Sequence, residues 1–379
     1  SSLFKLQHLR NLTLRDCNLS GDLPSSLGNL SHLAKLHLSK NYLVGEIPVS
    51  FGNLNQLRDL SLADNQFSGN IPFSFANFTQ LSQIIISLVR IVSLRNNQFK
   101  GPIEFRNTSS FSKLHILFLQ QNKFNGHIPK SISKISNLKN LDLHDNNFTG
   151  SVPNLANLEY LDLSYNKLEG EIPGSLGDML ELMLSHNSFS SFGKSFELSD
   201  LTHIQSMDLS SNCFRGPLPN GTHLVSVDIS GNQLEGKPPP SLINCISLEF
   251  LNVKSNRIKD TFPILVGFST VVNVLILRQN ELYGPLYHPR MSIGFQSLKI
   301  IDLSHNHFNG TLLPFYFSNR REITNLTKRS SGYMGDGYST NSMEMLIRTD
   351  FGGIDFSGNN ISAVIAVSIM LNLGTTSYK

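Results

Sequence analysis

The pattern LxxLxLxxN recurs along almost the whole chain, and a fixed-period repeat constrains a fold more tightly than composition or length can. Its Asn falls at positions 41, 65, 97, 122, 146, 166, 187, 212, 232, 256, 280, 306 and 359, with Cys17 in the corresponding place of the first unit. The commonest spacing is 24 residues, as from Asn41 to Asn65 and from Asn256 to Asn280. Length alone, 379 residues, would suggest two or three globular domains. The repeat replaces that reading, because a unit this short cannot bury its own apolar face and must stack on its neighbours.

The stretch LDLSYNKLEGEIPGSL, Leu161 to Leu176, shows how one unit works. Leu161 and Leu163 stand two apart and point inward from a short strand. Asn166 turns the chain inward, and its buried amide is tolerable only if it bonds the backbone of adjacent coils. Gly follows the Asn by four residues and Pro by seven, as in Asn41, Gly45, Pro48 and Asn65, Gly69, Pro72. Gly permits a tight bend, and Pro fixes an extended segment that a helix cannot follow at once. Periods of 20 to 29 residues with this pattern are the leucine-rich-repeat signature. The prediction is a right-handed solenoid of about 14 units, α/β in class. A parallel sheet lines its concave face, and its convex face is turn-rich with short 3-10 or helical pieces. Cys17, small and readily buried, takes the amide's place at one end.

Only 16% of residues are charged, the net charge is +3 and 40% are hydrophobic, which gives no electrostatic reason to expect nucleic acid. The apolar run Ala363 to Leu371 is far shorter than the roughly 20 residues that span a bilayer. The chain opens on repeat sequence and reads as an excised middle. Cys17, Cys213 and Cys245 are widely spaced without a CxxC pair, so neither a disulfide framework nor a metal site is expected. Compartment is read instead from the Asn-x-Ser/Thr sequons at Asn11, Asn18, Asn29, Asn77, Asn107, Asn147, Asn220, Asn309, Asn325 and Asn360, which suggest a secreted, glycosylated chain.

The repeat breaks in three places. Asn65 to Asn97 spans 32 residues, which reads as one degenerate or shortened unit within QIIISLVRIVSL. NSFSSFGKSFELSDL, after Asn187, lacks the Gly-x-Ile-Pro turn. Asn306 to Asn359 spans 53 residues and holds a non-repeat insertion. The domain reading is therefore repeats over 1–314, irregular at 66–97 and 188–205, an insertion at 315–350 and a degenerate last repeat over 351–379, where Ala363 and Ala366 replace Gly and Pro.

Because the repeats form an alignment within one molecule, departures from it are informative. Four residues before the Asn the usual residue is Asp (Asp142, Asp162, Asp208, Asp228, Asp302, Asp355), and two before it Ser dominates. These recurrent residues read as scaffold that bonds and solvates the backbone locally. Departures on the concave strands cluster twice. The first group is Arg95, Phe118, Gln120, His144, Tyr160, Tyr165, Met183 and His186; the second is Phe250, Asn252, Lys254, Ile276 and Arg278. Aromatic residues and Arg are the anchors of interface hot spots, which makes both groups ligand-binding candidates, although scattered surface aromatics are also ordinary. His37, His144 and His305 lie near carboxylates, but no HExxH or nucleophile elbow accompanies them, and each reads as a solvated strand residue. GNQLEGK, 231–237, has phosphate-loop spacing but Pro238 where Ser or Thr is required. No catalytic residue, cofactor or metal is expected.

NQLEGKPPPSLINC, KSNRIKDTFP, LILRQNELYGPLYHP and IDLSHNHFNGTLLPFYFSN, all between residues 232 and 319, resemble the plant receptor-like proteins, the class that includes the tomato Cf resistance proteins. The resemblance covers nearly the whole chain. It implies an ectodomain on the outer face of the plasma membrane, anchored by a single helix that is absent from this sequence. It also implies a protein, peptide or glycan ligand, with signalling through recruited adaptor and co-receptor kinases, in defence more than in development. The insertion occupies the place of that family's island domain, with Tyr316, Arg320, Arg321, Lys328, Arg329, Tyr333 and Tyr338 as contact candidates. It is shorter than expected and lacks the Lys-Gly pair after its Met-rich stretch, and a passive loop is the alternative. A secreted polygalacturonase-inhibitor-like protein, built from the same 24-residue unit, is the other reading.

Overall fold

A computed structural model describes residues 6–72, 90–104, 113–176, 179–193, 204–216, 224–238, 245, 247–261, 272–286, 299–311, 353–355 and 357–362. The chain divides into two compact units, Ser1–Phe196 and Glu197–Lys379.

In the first unit each xLx segment is a three-residue strand. The described strands are Asn11–Thr13, Lys35–His37, Asp59–Ser61, Ile91–Ser93, Ile116–Phe118, Asn140–Asp142, Tyr160–Asp162 and Glu181–Met183, each parallel to the next. The second unit continues the scheme with Ser206–Asp208, Ser226–Asp228, Phe250–Asn252, Val274–Ile276, Ile300–Asp302 and Gly353–Asp355. Within each unit the central residue of a strand pairs with its counterpart one repeat away, as Leu141 does with Leu161, so these apolar residues form a row on the inner face. They are buried, Leu141, Leu161 and Leu163 completely.

The Asn residues lock the rows together. Asn65 Nδ2 donates to Leu38 O of the preceding coil at 2.9 Å, and within its own coil to Leu62 O and Ala63 O at 3.2 and 3.1 Å. Its Oδ1 accepts the Leu43 N–H at 3.1 Å. The same arrangement recurs at Asn97, Asn122, Asn146, Asn166, Asn187, Asn232, Asn256, Asn280 and Asn306, each Oδ1 accepting an N–H two residues past the preceding Asn. Four backbone groups per coil are thus satisfied by one side chain, which is why the position is so regular. Cys17 differs from expectation. It is exposed here, and it takes part through its N–H, which donates to Asn41 Oδ1 at 3.0 Å.

After the Asn the chain forms a second strand that the repeat pattern did not suggest. In the first unit these strands build an eight-stranded parallel sheet running from Ser20–Asp22 to Ser188–Phe192. In the second unit Arg215–Gly216, Gln233–Gly236 and Arg257–Ile258 form one set of three, and Tyr283–Pro285, His307–Thr311 and Asn360–Ser362 another. Several end at a Gly with positive φ, such as Gly45 at 77° and Gly69 at 76°. Beyond the Pro, single 3-10 turns follow at Ser25–Asn29, Val49–Asn53 and Lys130–Lys134. Four consecutive second strands, Gln66–Gly69, Gln98–Gly101, Lys123–His127 and Asn147–Gly150, bury an aromatic ring at their second residue. Phe67, Phe99, Phe124 and Phe148 stack with centroids 6.1 to 6.3 Å apart and planes within 18°, the offset spacing that aromatic pairs prefer.

Two of the three breaks are now defined. Asp59 pairs directly with Ile91, so the strand before the 32-residue interval and the strand that closes it are neighbours in the sheet. Ile300 pairs with Gly353, so the chain re-enters the sheet at the next position after the insertion, and Phe308 N–H donates to Asn359 Oδ1 at 3.1 Å. Ser188–Phe192 pairs with Lys167–Ile172 through a register shift at Gly170/Glu171. The island candidates Tyr316, Arg320, Arg321, Lys328, Arg329, Tyr333 and Tyr338, with Ala363 and Ala366, lie outside the described residues.

Candidate functional site

Residues four and two places before each Asn share the face of the sheet opposite the leucines, because side chains alternate along a strand. The recurrent Asp does scaffold work there. Asp162 Oδ1 accepts the Ser164 N–H at 2.9 Å and its hydroxyl at 2.6 Å; Asp228 and Ser230, and Asp302 and Ser304, repeat both bonds. The expectation of solvation is corrected: Asp142, Asp162, Asp208 and Asp228 are buried, closed in by the strands on either side. One place later the backbone is left-handed, at Asp64, Gln121, Asp145, Tyr165, His186 and others, and this bend sends the chain into the Asn turn.

The first group of departures converges on one point. Asp142 and Asp162 face each other across adjacent strands, and His144 fills the place that Ser takes elsewhere. His144 Nδ1 lies 2.8 Å from Asp142 Oδ1 and 3.4 Å from Asp162 Oδ2. Burial opposes charge on the ring, but its hydrogen bonds to the two carboxylates and their charges outweigh this and push its pKa up to about 10. Burial, joined by the charge of Asp162, also pushes the Asp142 carboxyl up against the bonds from His144. Both shifts have one meaning: the cluster holds a proton firmly. His144 is therefore no solvated strand residue, contrary to the sequence reading. His37, beside Lys35 and Arg15, has its pKa lowered by burial and then by Lys35.

Around this cluster the candidates differ in what they offer. Tyr160, half-buried, points its hydroxyl at Asp162 Oδ2 at 3.5 Å. Phe118 is half-buried opposite Asp142. Arg95 leans on Asp64 at 3.8 Å. Tyr165 and His186 stack at 4.1 Å, and Tyr165 keeps 55% of its surface exposed. Gln120 and Met183, expected as contact residues, are only 2% and 3% exposed. Gln120 stands between Arg95 and His144 in the row two before the Asn, and Met183 beside Asp162 in the row four before it.

In the second group Phe250 is likewise buried, opposite Ser226 and Val274. Asn252 replaces the recurrent Asp, keeps its bond to the N–H two residues on at 3.1 Å, and donates to Asp228 Oδ2 at 2.9 Å. Lys254 is exposed, Ile276 half-exposed, and Arg278 reaches Ser304 Oγ at 3.2 Å and Asp302 at 3.9 Å. Among the sequon residues Asn11, Asn18, Asn29 and Asn309 are exposed, Asn147 is half-buried in a strand and Asn360 begins one. Asn77, Asn107, Asn220 and Asn325 lie outside the described residues. Sequence reasoning missed the Asp–His–Asp contact. The signal was present, since aligning the repeats places residues 142, 144 and 162 in neighbouring columns.

Comparison with known proteins follows the same lines. Family models described as "Leucine rich repeat" match residues 7–67, and 137–156, 157–179, 223–245 and 297–319. Receptor-like protein 12 of Arabidopsis thaliana is 42% identical over 342 residues, covering 71% of this chain and 40% of that protein. Receptor-like protein 31 of the same plant is 34% identical, covering 74% of this chain and 42% of itself. The chain thus spans well under half the length of these relatives. Among solved structures, the Arabidopsis HAESA ectodomain in complex with an N-terminally extended IDA peptide hormone superposes with a TM-score of 0.75 at 26% identity, covering 96% of this chain and 56% of that one. The PEPR1–AtPEP1 structure gives 0.77 at 28%, covering 95% and 46%.

Proposed function

The chain belongs to the leucine-rich-repeat proteins and is akin to the plant receptor-like proteins, and from that premise we propose that it is a ligand-recognising part of a plant cell-surface receptor. The observation that carries the reading is the open face of the parallel strands in each unit. Every coil presents side chains at the same two places there, while the residues that depart from the repeat supply Phe118, Tyr160 and Tyr165 in one unit and Lys254 and Arg278 in the other. A surface of this kind fits an extended partner that crosses several strands. HAESA, a structural relative above a quarter identical, is solved with a peptide hormone, which favours a peptide among the ligand classes here.

In this reading the protein is not an enzyme; the open-face carboxylates are engaged in holding the backbone. It works at the outer face of the plasma membrane, with Asn11, Asn18, Asn29 and Asn309 as exposed glycan acceptors. No helix among the described residues is long and apolar enough to cross a membrane, and anchoring would fall to a part of the protein beyond this sequence. Ligand binding adds interface for adaptor and co-receptor kinases and shifts an assembly equilibrium, in defence signalling as our first assignment. The insertion at 315–350 would contribute further ligand contacts.

The test is a screen of secreted peptides, proteins and wall oligosaccharides against the purified chain and its Phe118→Ala, Tyr160→Ala and Lys254→Ala variants. At least one substitution is expected to weaken binding tenfold or more. A ligand bound equally by all four proteins would place recognition elsewhere.

A further inference from the structure

We propose that Asp142, His144 and Asp162 form a site for a divalent first-row cation, zinc before the others, with the Gln120 amide oxygen as fourth donor. The inference is independent of the receptor reading. One imidazole and two carboxylates from adjacent strands offer ligand atoms that all lie within 4.8 Å of one another, the one such group among the described residues. Tetrahedral ligands about 2.1 Å from a zinc ion stand roughly 3.4 Å apart, close to the 2.8 and 3.4 Å separating His144 Nδ1 from the two carboxylates. The carboxylates are already aimed. Ser164 holds Asp162 by Oδ1, the Tyr160 hydroxyl and His144 meet at its Oδ2, and the His144 N–H fixes Asp142, the outer-shell support that metal ligands need.

A second and separate observation is Gln120. Its side chain is 2% exposed and its Oε1 has no hydrogen-bond partner among the described residues. The register that sets Phe118 opposite Asp142 sets Gln120 opposite His144, and Gln121 N–H donates to His144 O at 2.9 Å. A buried amide oxygen without a donor is destabilising, and a cation beside His144 removes that cost. Charge points the same way. Two carboxylates close together in a mostly buried place call for positive charge, and a divalent ion held between them and the imidazole supplies it. A nitrogen ligand and so few donors disfavour calcium and magnesium, which take six or more oxygens.

The experiment is isothermal titration of the chelator-stripped chain at pH 8 with zinc chloride, and with magnesium and calcium chloride as controls. One saturable zinc equivalent is expected, absent with magnesium or calcium. His144→Ala and Asp162→Asn should lose it, and Gln120→Leu should bind about tenfold more weakly. Asp162→Asn keeps the N–H acceptor that Asn252 supplies naturally at the equivalent place, so it tests the ligand without removing the scaffold bond, and circular dichroism checks its fold. No saturable zinc binding by the wild-type chain would overturn the proposal. So would undiminished zinc binding in both His144→Ala and Asp162→Asn. Unchanged affinity in Gln120→Leu would remove the amide oxygen from the donor set.

Discussion

The two groups of departures from the repeat stand on the same scaffold and do opposite things. In the first, around Asp142, the unusual side chains turn on one another. Gln120 and Met183 are buried, His144 is held between two carboxylates, and Tyr160 leans toward the same acids. In the second, around Asn252, Phe250 is buried and Asn252 and Arg278 each engage a recurrent acid, but the polar side chains keep more of their surface open. Asn252 engages Asp228, while Lys254 stays exposed and Arg278 half-exposed. Departing from a repeat is therefore not the same as facing a ligand. A departure among small neighbours remains available, whereas one flanked by other large or ionisable side chains is absorbed.

Both regions rest on the amide ladder, and the largest effect should be found there. Asn146→Ala beneath the first group and Asn256→Ala beneath the second each strand one N–H and several carbonyls. Each should cost about 3–5 kcal/mol in urea unfolding followed by circular dichroism. Similar losses are expected, and a large inequality would mean that the ladder is not common ground.

Next in size, His144→Ala leaves two buried carboxylates facing each other and should cost about 2–3 kcal/mol, whereas Lys254→Ala should change stability by less than 0.5 kcal/mol. Equal costs would erase the distinction between an inward and an outward region. pH gives a smaller effect of the same origin. The folded pKa of His144, about 10, lies above its ordinary 6.5. Its contribution is therefore complete below about pH 6.5 and is lost as pH rises through 10. Discounted for solvent screening, wild type should lose about 1–2 kcal/mol over that interval relative to His144→Gln, measured by thermal melts in matched buffers. Met183→Leu, a volume-conserving swap, should cost less than 1.5 kcal/mol in the same melts. A loss comparable to that of His144→Ala would show that the thioether, and not only its bulk, is needed beside Asp162.

Much of the scaffold was legible in the sequence. The Asn positions gave each coil its register, and the LxL segments gave the strands, since period and buried amide admit few alternatives. The second strands were harder to see, because the three residues between Asn and Gly are too few to display alternation. Their signal is the recurring Phe67, Phe99, Phe124 and Phe148, which stack only when the coils are laid side by side. The open face was least legible. Whether Gln120 or Met183 is buried depends on neighbours 20 or more residues away and on the rotamer each adopts, and neither is written in a single unit.

The claim under all of this is that Asn side chains bind adjacent coils by capturing backbone groups across the boundary. Amide hydrogen exchange at Phe67, Phe99, Phe124 and Phe148 addresses it directly, because each of these N–H groups donates to an Asn Oδ1 of the following coil. The account predicts slow exchange at all four in the wild-type chain, and in Asn146→Ala a selective acceleration at Phe124. Fast exchange at these amides in the wild type, or a protected Phe124 in the variant, would contradict it.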